Sequence, residues 1–188
     1  VVFVMPLLQM VLASFKTDAE IRQVPPTFFP AHPTVDGYVR LFHESDVLRW
    51  LANSVVVATC AILAHLVLCS MAGYGFSRLR FAGRGVSFVL LVGTIMIPTQ
   101  LLMIPTYIMF SRLGLIDSLA AAFVPWLASA FGIFLMRQFF LSIPVELEEA
   151  AALDGASKWQ TFVRVILPLA KPAVATLAIF TLLGAWND

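Results

Sequence analysis

Charge is scarce in this sequence. Lys, Arg, Asp and Glu make up 12% of its 188 residues, against about 25% in an ordinary soluble domain. With 60% hydrophobic residues and a mean hydropathy of +0.91, the chain has too few polar groups to cover a water-facing surface, and lipid is the expected solvent. A net charge of +1 offers no basic field for nucleic acid. Cysteine is nearly absent: Cys60 and Cys69 fall on opposite faces of a helix, forming neither a CxxC motif nor an obvious disulfide, and read as small buried apolar residues. No HExxH, GxSxG or Cys/His cluster occurs, so hydrolytic machinery and a metal site have no visible basis, and no cofactor is expected. No GxxxxGK[ST] occurs either. The chain itself does not bind ATP through a P-loop, and uphill movement of a solute would need energy from another subunit.

What the sequence has in abundance is long apolar runs. Residues 51–76, 86–110 and 118–136 are each long enough to cross a hydrocarbon core of about 30 Å, and a fourth run covers 172–186. Residues 1–14 would reach only about 21 Å as a helix and read as a spanning helix clipped at its start. The expected fold is an all-α polytopic membrane protein with about five spans. A β-barrel is excluded because runs such as FVLLVGTIMI do not alternate. The four longer runs contain no Asp, Glu, Lys or Arg, which argues against an ion-coupled carrier. His65 lies inside the first of them and reads as a hydrogen-bonded contact between helices. Pro98, Pro105 and Pro125 punctuate the runs. Each removes a backbone donor, either as a tolerated kink or as a broken helix beside a cavity.

The connecting segments differ in charge. Residues 16–50 hold five of the eleven acids together with Pro25, Pro26, Pro30 and Pro33, which predicts an ordered or semi-ordered loop with a short helix near residues 37–42. Residues 77–85 carry Arg78, Arg80 and Arg84 and no acid. Taken with residues 137–171 they put seven bases on one side of the membrane against five on the other. Bases near span ends favour the cytoplasm, so residues 141–171 are expected there as a loop and residues 15–50 outside, within one transmembrane domain over 1–188 that reads as a fragment of a longer protein.

The loop VELEEAAALDGASKWQTFVRVILPLAKP, residues 145–172, is polar enough to stand in water. Pro144 suits a first helical turn, and Glu146, Glu148 and Glu149 follow where carboxylates favour the helix dipole. The helix is predicted to run to about Asp154, with Gly155 supplying the positive φ that ends it. Ser157 and Gln160 form a capping-box pattern that starts a second helix. Trp159, Phe162, Val163 and Ile166 share one face of it, and Pro168 and Pro172 are expected to end it. The first helix is too short to stand alone in water. It must dock either on its own protein or, as a slim anionic knob, in a groove on a partner. The residues alone favour neither.

EAAALDGAS…LPLAKP resembles the EAA loop of ABC-importer membrane subunits: Glu-Ala-Ala, three residues, Gly, nine residues, then Ile-x-Leu-Pro. The matching positions are Glu149, Ala150, Ala151, Gly155, Val165 (in place of Ile), Leu167 and Pro168, with Asp154 inside the motif. The stretches NSVVVATCAILAHLVLCSMAGYGFSRLRF, IMIPTQLLMIPTYIMFSRLGLIDS, PWLASAFGIFLMRQFFLSIPVELEEAA and GAWND are similar to the carbohydrate-uptake branch, the maltose and glycerol-phosphate permease type. The resemblance implies a MetI-like, type I permease helix bundle in the bacterial inner membrane, normally of six spans, of which the last is missing here. It implies partners: a second, related permease subunit, two ATPase subunits, an extracytoplasmic solute-binding protein and surrounding lipid. It implies that this chain is not an enzyme but transmits force from the ATPases, and that the cargo is a sugar, polyol or sugar phosphate. For such a cargo Asn53, Gln100, Tyr107, Trp126 and Asn187 have suitable neutral hydrogen-bonding and stacking chemistry, although each could equally be an interhelical contact. The competing reading is a structural membrane protein whose loop anchors a cytoplasmic partner.

Overall fold

The computed structural model describes residues 3–187. Val1 and Val2, at the head of the expected first span, and Asp188, at the end of the GAWND stretch, lie outside the described residues. Among the described residues every regular element is helical, as the non-alternating apolar runs require. The chain divides into two compact units, Val1–Ala52 and Asn53–Asp188.

The first unit holds α1 (Met5–Ala13), α2 (Asp18–Ile21) and α3 (Asp36–Glu44). The expected span at residues 1–14 gives a helix of 9 residues in α1, about 13 Å long, and the helix predicted at 37–42 extends by a residue or two at each end. Side chains tie the proline-rich segment down. The Glu20 carboxylate accepts the Ala31 N–H at 2.7 Å and the Thr27 hydroxyl at 3.2 Å, and the Lys16 ammonium donates to the same hydroxyl at 3.0 Å and to the Thr27 carbonyl. The Ala31 N–H, followed by Thr27, holds the Glu20 carboxyl below its ordinary range. Arg40 grips Asp18 with two parallel bonds of 2.8 and 2.9 Å and lowers its carboxyl likewise.

The second unit is organised on α4 (Val47–Arg78) from Asn53 onward; the 32 residues of this helix extend about 48 Å. It is the one described helix long and apolar enough to cross a membrane by itself. The expected spans at 86–110 and 118–136 are bent pairs, the run at 172–186 is one half of a third pair whose other half is residues 158–169, and up to four helices or pairs are long and apolar enough to cross if each pair counts as one. In place of one span at 86–110, α5 (Arg84–Gly93) and a short 3-10 turn meet α6 (Thr99–Arg112) at 101°. Pro98 causes the break: the residue before a proline is pushed out of the helical region, and Ile97 is extended at φ −83°, ψ 115°. Pro105 lies inside α6 without ending it. The run at 118–136 becomes α7 (Leu119–Phe123), a 3-10 turn and α8 (Ala130–Ser142), bent by 41°. Its second half starts at Ser129, whose hydroxyl accepts the Gly132 N–H. The last run is α12 (Lys171–Asn187).

The core lies where α4, α8 and α12 meet. Ala61, His65, Cys69, Gly73 and Ser77 are all buried, and their four-residue spacing makes one ridge along α4. Small residues let helix backbones approach closely: a Cβ on Gly73 would lie 3.0 Å from the Arg137 nitrogen of α8, and one on Gly132 of α8 would lie 2.7 Å from His65 Nε2 and 2.8 Å from Cys69 Sγ. Met136 and Phe140 of α8 and Leu177 of α12 fill the remaining space. The helix ends are tied reciprocally. Arg137 of α8 donates to the Phe76 carbonyl near the end of α4 at 3.2 Å, and Arg78 of α4 donates to the Phe140 carbonyl near the end of α8 at 2.7 Å.

Candidate functional site

The loop after α8 folds as two helices. Ile143, before Pro144, is extended at ψ 130°, so α8 stops and α9 (Glu146–Leu153) begins. Pro144 therefore stands two places ahead of the helix instead of in its first turn. At the other end Asp154 is the C-cap and Gly155 takes φ 82°. The Ala156 N–H reaches the Ala151 carbonyl at 2.9 Å and the Gly155 N–H reaches that of Ala152 at 3.1 Å. This is the paired closure of a Schellman motif, and it explains why this spacing needs glycine. Ser157 and Gln160 make the reciprocal capping box that opens α10 (Lys158–Thr161).

The second helix does not end at Pro168. A π-turn over Phe162–Ile166 precedes α11 (Leu167–Leu169), and helical structure continues through the proline. A π-turn widens the backbone one turn ahead of the ring, where its clash with the preceding carbonyl would otherwise fall. The chain then turns by 78° into α12, with Pro172 already inside that helix. The predicted apolar face splits: Phe162 and Ile166 are buried, whereas Trp159 and Val163 are exposed. The Phe162 ring centroid stands 4.8 Å from that of Tyr74, which fixes the second helix against α4, and 5.6 Å from that of Trp159 on its own helix.

The first helix is held differently. Of its three first-turn acids, Glu146 and Glu149 face out and Glu148 is buried. Glu148 Oε1 lies 2.8 Å from Arg78 Nε, as a charge pair instead of an aligned hydrogen bond, and Glu148 Oε2 accepts the Tyr74 hydroxyl at 3.1 Å. With Glu148 turned inward, Glu149, Ala150, Asp154 and Gly155 come to the surface and Ala151 is half-buried. Leu167 packs on the core and Pro168 is exposed. Sequence reasoning missed Arg78, Glu148 and Tyr74. One signal was available: Tyr74 and Arg78 are four residues apart on one face of a helix that ends beside the loop.

The five polar candidates in the apolar runs do not form one cluster. Gln100 and Tyr107, seven residues apart on α6, share a face and are exposed; Asn53 on α4 is half-buried. Trp126 is half-buried, and its ring lies where a Cβ on Gly184 of α12 would fall. Asn187, one turn beyond Gly184, donates to the Leu183 carbonyl at 2.6 Å. Trp126 also takes part through its backbone: His65 Nδ1 is 2.8 Å from the Trp126 carbonyl and His65 Nε2 is 3.2 Å from the Ser129 hydroxyl. A carbonyl only accepts, so Nδ1 donates to Trp126, and Nε2 pairs with the Ser129 hydroxyl. His65 is thus the interhelical contact expected.

Comparison with known proteins places this geometry. Residues 65–188 match the family described as binding-protein-dependent transport system inner membrane component. The arabinooligosaccharides transport system permease protein AraQ of Halalkalibacterium halodurans is 32% identical over 98% of this chain and 67% of its own length. The diacetylchitobiose uptake system permease protein NgcG of Streptomyces coelicolor is 31% identical over 100% of this chain and 63% of its own. A solved structure of a bacterial ABC transporter involved in the import of the acidic polysaccharide alginate superimposes with a TM-score of 0.87 at 30% identity, over all of this chain and 66% of that one. The chain spans about two thirds of the length of these relatives.

Proposed function

Because this chain belongs to the family of binding-protein-dependent transport system inner membrane components, we propose that it is the permease subunit of an ATP-binding-cassette importer for a carbohydrate. The cargo class follows the roles by which its relatives are named, which concern oligosaccharides and a polysaccharide; a polyol or sugar phosphate is the variant of this reading that a ligand screen separates. A solute-binding protein delivers the cargo, a second permease chain completes the pathway, and two ATPase subunits drive it.

One observation carries the reading: α9 presents Glu149 and Ala150 at the surface while its neighbour Glu148 is sunk into the bundle. A helix of 8 residues has too little intrinsic stability to hold a shape unaided. Anchored on one side, it offers a rigid anionic knob on the other. Glu149 then makes a charge-assisted bond to a basic group on an ATPase, and Ala150 lets the two surfaces close. The loop lies in the cytoplasm in this reading and residues 15–50 lie outside, in keeping with Arg78, Arg80 and Arg84 at the inner end of α4. Asn53, Gln100, Tyr107, Trp126 and Asn187 are proposed to contact cargo along the pathway.

The test is a cysteine at Ala150 in the assembled complex. It should crosslink to an ATPase subunit, and the hydrolysis of that subunit should rise when loaded binding protein is added. Glu149→Lys should abolish both and leave the chain in the membrane fraction. A crosslink to a companion that hydrolyses no nucleotide would favour the anchoring reading. Unchanged uptake in Glu149→Lys would overturn the proposal.

A further inference from the structure

Three chain segments converge on the guanidinium of Arg78. Its Nη2 donates to the carbonyls of Phe140, at 2.7 Å, and Ile143, at the end of α8. Its Nε faces Glu148 of α9 at 2.8 Å, and Tyr74, one turn back on α4, donates its hydroxyl to the same carboxylate at 3.1 Å. The side chains of Arg78 and Glu148 are 12% and 5% exposed, so water does little to screen the pair. We propose that Arg78, Glu148 and Tyr74 form a buried latch that positions the loop helix and makes α4, α8 and α9 move as one piece. These are positioning residues. They touch no partner and act through the helix that does.

The chemistry suits that task. The last carbonyls of a helix have no partner within it and sit at the negative end of its dipole. A guanidinium placed there meets the Ile143 carbonyl, the Phe140 carbonyl (which also accepts the Ile143 N–H at 3.3 Å) and a carboxylate at once. The planar guanidinium of arginine donates from one nitrogen to both carbonyls while another edge faces the carboxylate; lysine offers a point charge. Swinging α9 away would break the buried ion pair and the Tyr74 hydrogen bond together and leave Arg78 with its two carbonyls alone; parting a buried charge pair is strongly disfavoured. A pull on Glu149 is therefore passed to the ends of α4 and α8 instead of being absorbed by the loop pivoting. Glu148 and Glu149 are adjacent, about 100° apart around the helix. One faces the bundle and the other faces out.

This inference rests on the permease reading for its transport consequences, and its test has one arm that does not. Spin labels at Leu153 on α9 and Arg80 beyond the end of α4, both exposed, report the latch directly by their distance distribution in the purified chain. Glu148→Gln should broaden that distribution, Arg78→Lys should broaden it less, and Tyr74→Phe least. In the assembled complex Glu148→Gln should retain its ATPase, since Glu149 is untouched, and solute carried per ATP hydrolysed should fall about fivefold or more. A narrow, wild-type distribution in both Glu148→Gln and Arg78→Lys would overturn the latch. So would parallel losses of abundance and ATPase association with solute per ATP unchanged, because that marks a folding contact only. If Glu148→Gln does not accumulate, Arg78→Lys and Tyr74→Phe decide on the same readouts. If the wild-type chain recruits no ATPase, the permease reading fails and the distance arm still judges the latch.

Discussion

Gly73 and Gly75 stand two residues apart on α4, and a methyl group on each should move stability in opposite directions. At Gly73 the new Cβ would lie 2.8 Å from Met136 Cβ, 3.0 Å from the Arg137 nitrogen and 3.2 Å from the Met136 carbonyl carbon. Two of those three atoms are α8 backbone, so no rotamer change relieves the contact and the helices must part. Overpacking a tight interior costs about 1–3 kcal/mol. Alanine is favoured over glycine inside a helix by about 0.5–1 kcal/mol, which leaves Gly73→Ala destabilised by about 1 kcal/mol at the midpoints of the two ranges and by up to about 2.5 kcal/mol. At Gly75 nothing lies within 4 Å of the new Cβ, so only the helix gain applies and Gly75→Ala is stabilised by about 0.5–1 kcal/mol. For a chain of this size 1 kcal/mol moves a melting midpoint by roughly 2–4 °C. Gly73→Ala should therefore fall by a few degrees and Gly75→Ala should rise by one to a few, measured as the thermal loss of the monodisperse peak in detergent. A Gly73→Ala protein as stable as the wild type would refute the close α4–α8 approach. Equal losses at both positions would show that α4 at this point needs glycine for a reason other than packing.

Other substitutions probe single features. Gly155 has φ 82° and open space around its Cα, so its variants should follow backbone strain alone: Gly155→Asn mild, Gly155→Ala costing about 1–2 kcal/mol, Gly155→Val worst, read as protease cleavage in the loop. If Gly155→Ala melts and resists cleavage like the wild type, the left-handed turn is not required. Gly184→Ala would put a Cβ 2.6 Å from Trp126 Cζ3 and should displace that ring, seen as a shifted emission in a protein whose other tryptophans are replaced by phenylalanine; unchanged emission would count against the contact. The Glu20 carboxyl, held below its ordinary value of 4.5 by the Ala31 N–H, binds its proton more readily in the unfolded segment. Its stabilisation is therefore present above about pH 4.5 and is lost as pH falls through the folded value. Amide exchange at Ala31 should accelerate on acidification, relative to the intrinsic rate at each pH, in the wild type and be pH-insensitive in Glu20→Gln. A wild-type profile in Glu20→Gln would refute the role assigned to the carboxylate.

The sequence was most legible where local chemistry fixes the outcome. The Gly155 turn, the Ser157–Gln160 box and α4 were readable because each depends on residues within a few places of one another. The spans over 86–110 and 118–136 were read too simply. Hydropathy reports that a run prefers lipid, and it does not report that Pro98 forces Ile97 out of the helix. Pro168 misled in the other direction, because a π-turn lets a helix carry a proline that a simple stop rule treats as an end. Residues 16–50 were readable as ordered, but the burial of Lys16 and Glu20 was not, since it depends on Thr27 and Ala31 across a proline-rich stretch. The latch was hidden for the same reason: Arg78 and Glu148 are 70 positions apart, and nothing local distinguishes Glu148 from Glu146 or Glu149.

That last difficulty bears on how the loop works. Three glutamates in one turn read as a single acidic patch, and a patch would tolerate losing any one of them. The fold separates them instead. A carboxylate buried between a guanidinium and a phenol hydroxyl has no solvent to replace a lost partner, so exchanging Glu148 for Gln costs a charge that the site was built around. An exposed carboxylate such as Glu149 keeps its hydration when a partner is removed, so under the proposed coupling its exchange would be felt only at the docked ATPase. Neighbouring substitutions of the same kind should thus fail in different ways. Under the proposed coupling, loss at Glu149 would weaken the grip of an ATPase, and loss at Glu148 would weaken the connection through which that grip is felt by α4 and α8. Doing both should add little to the transport defect of losing Glu149 alone, because a lever that is not held delivers no force however firmly it is attached.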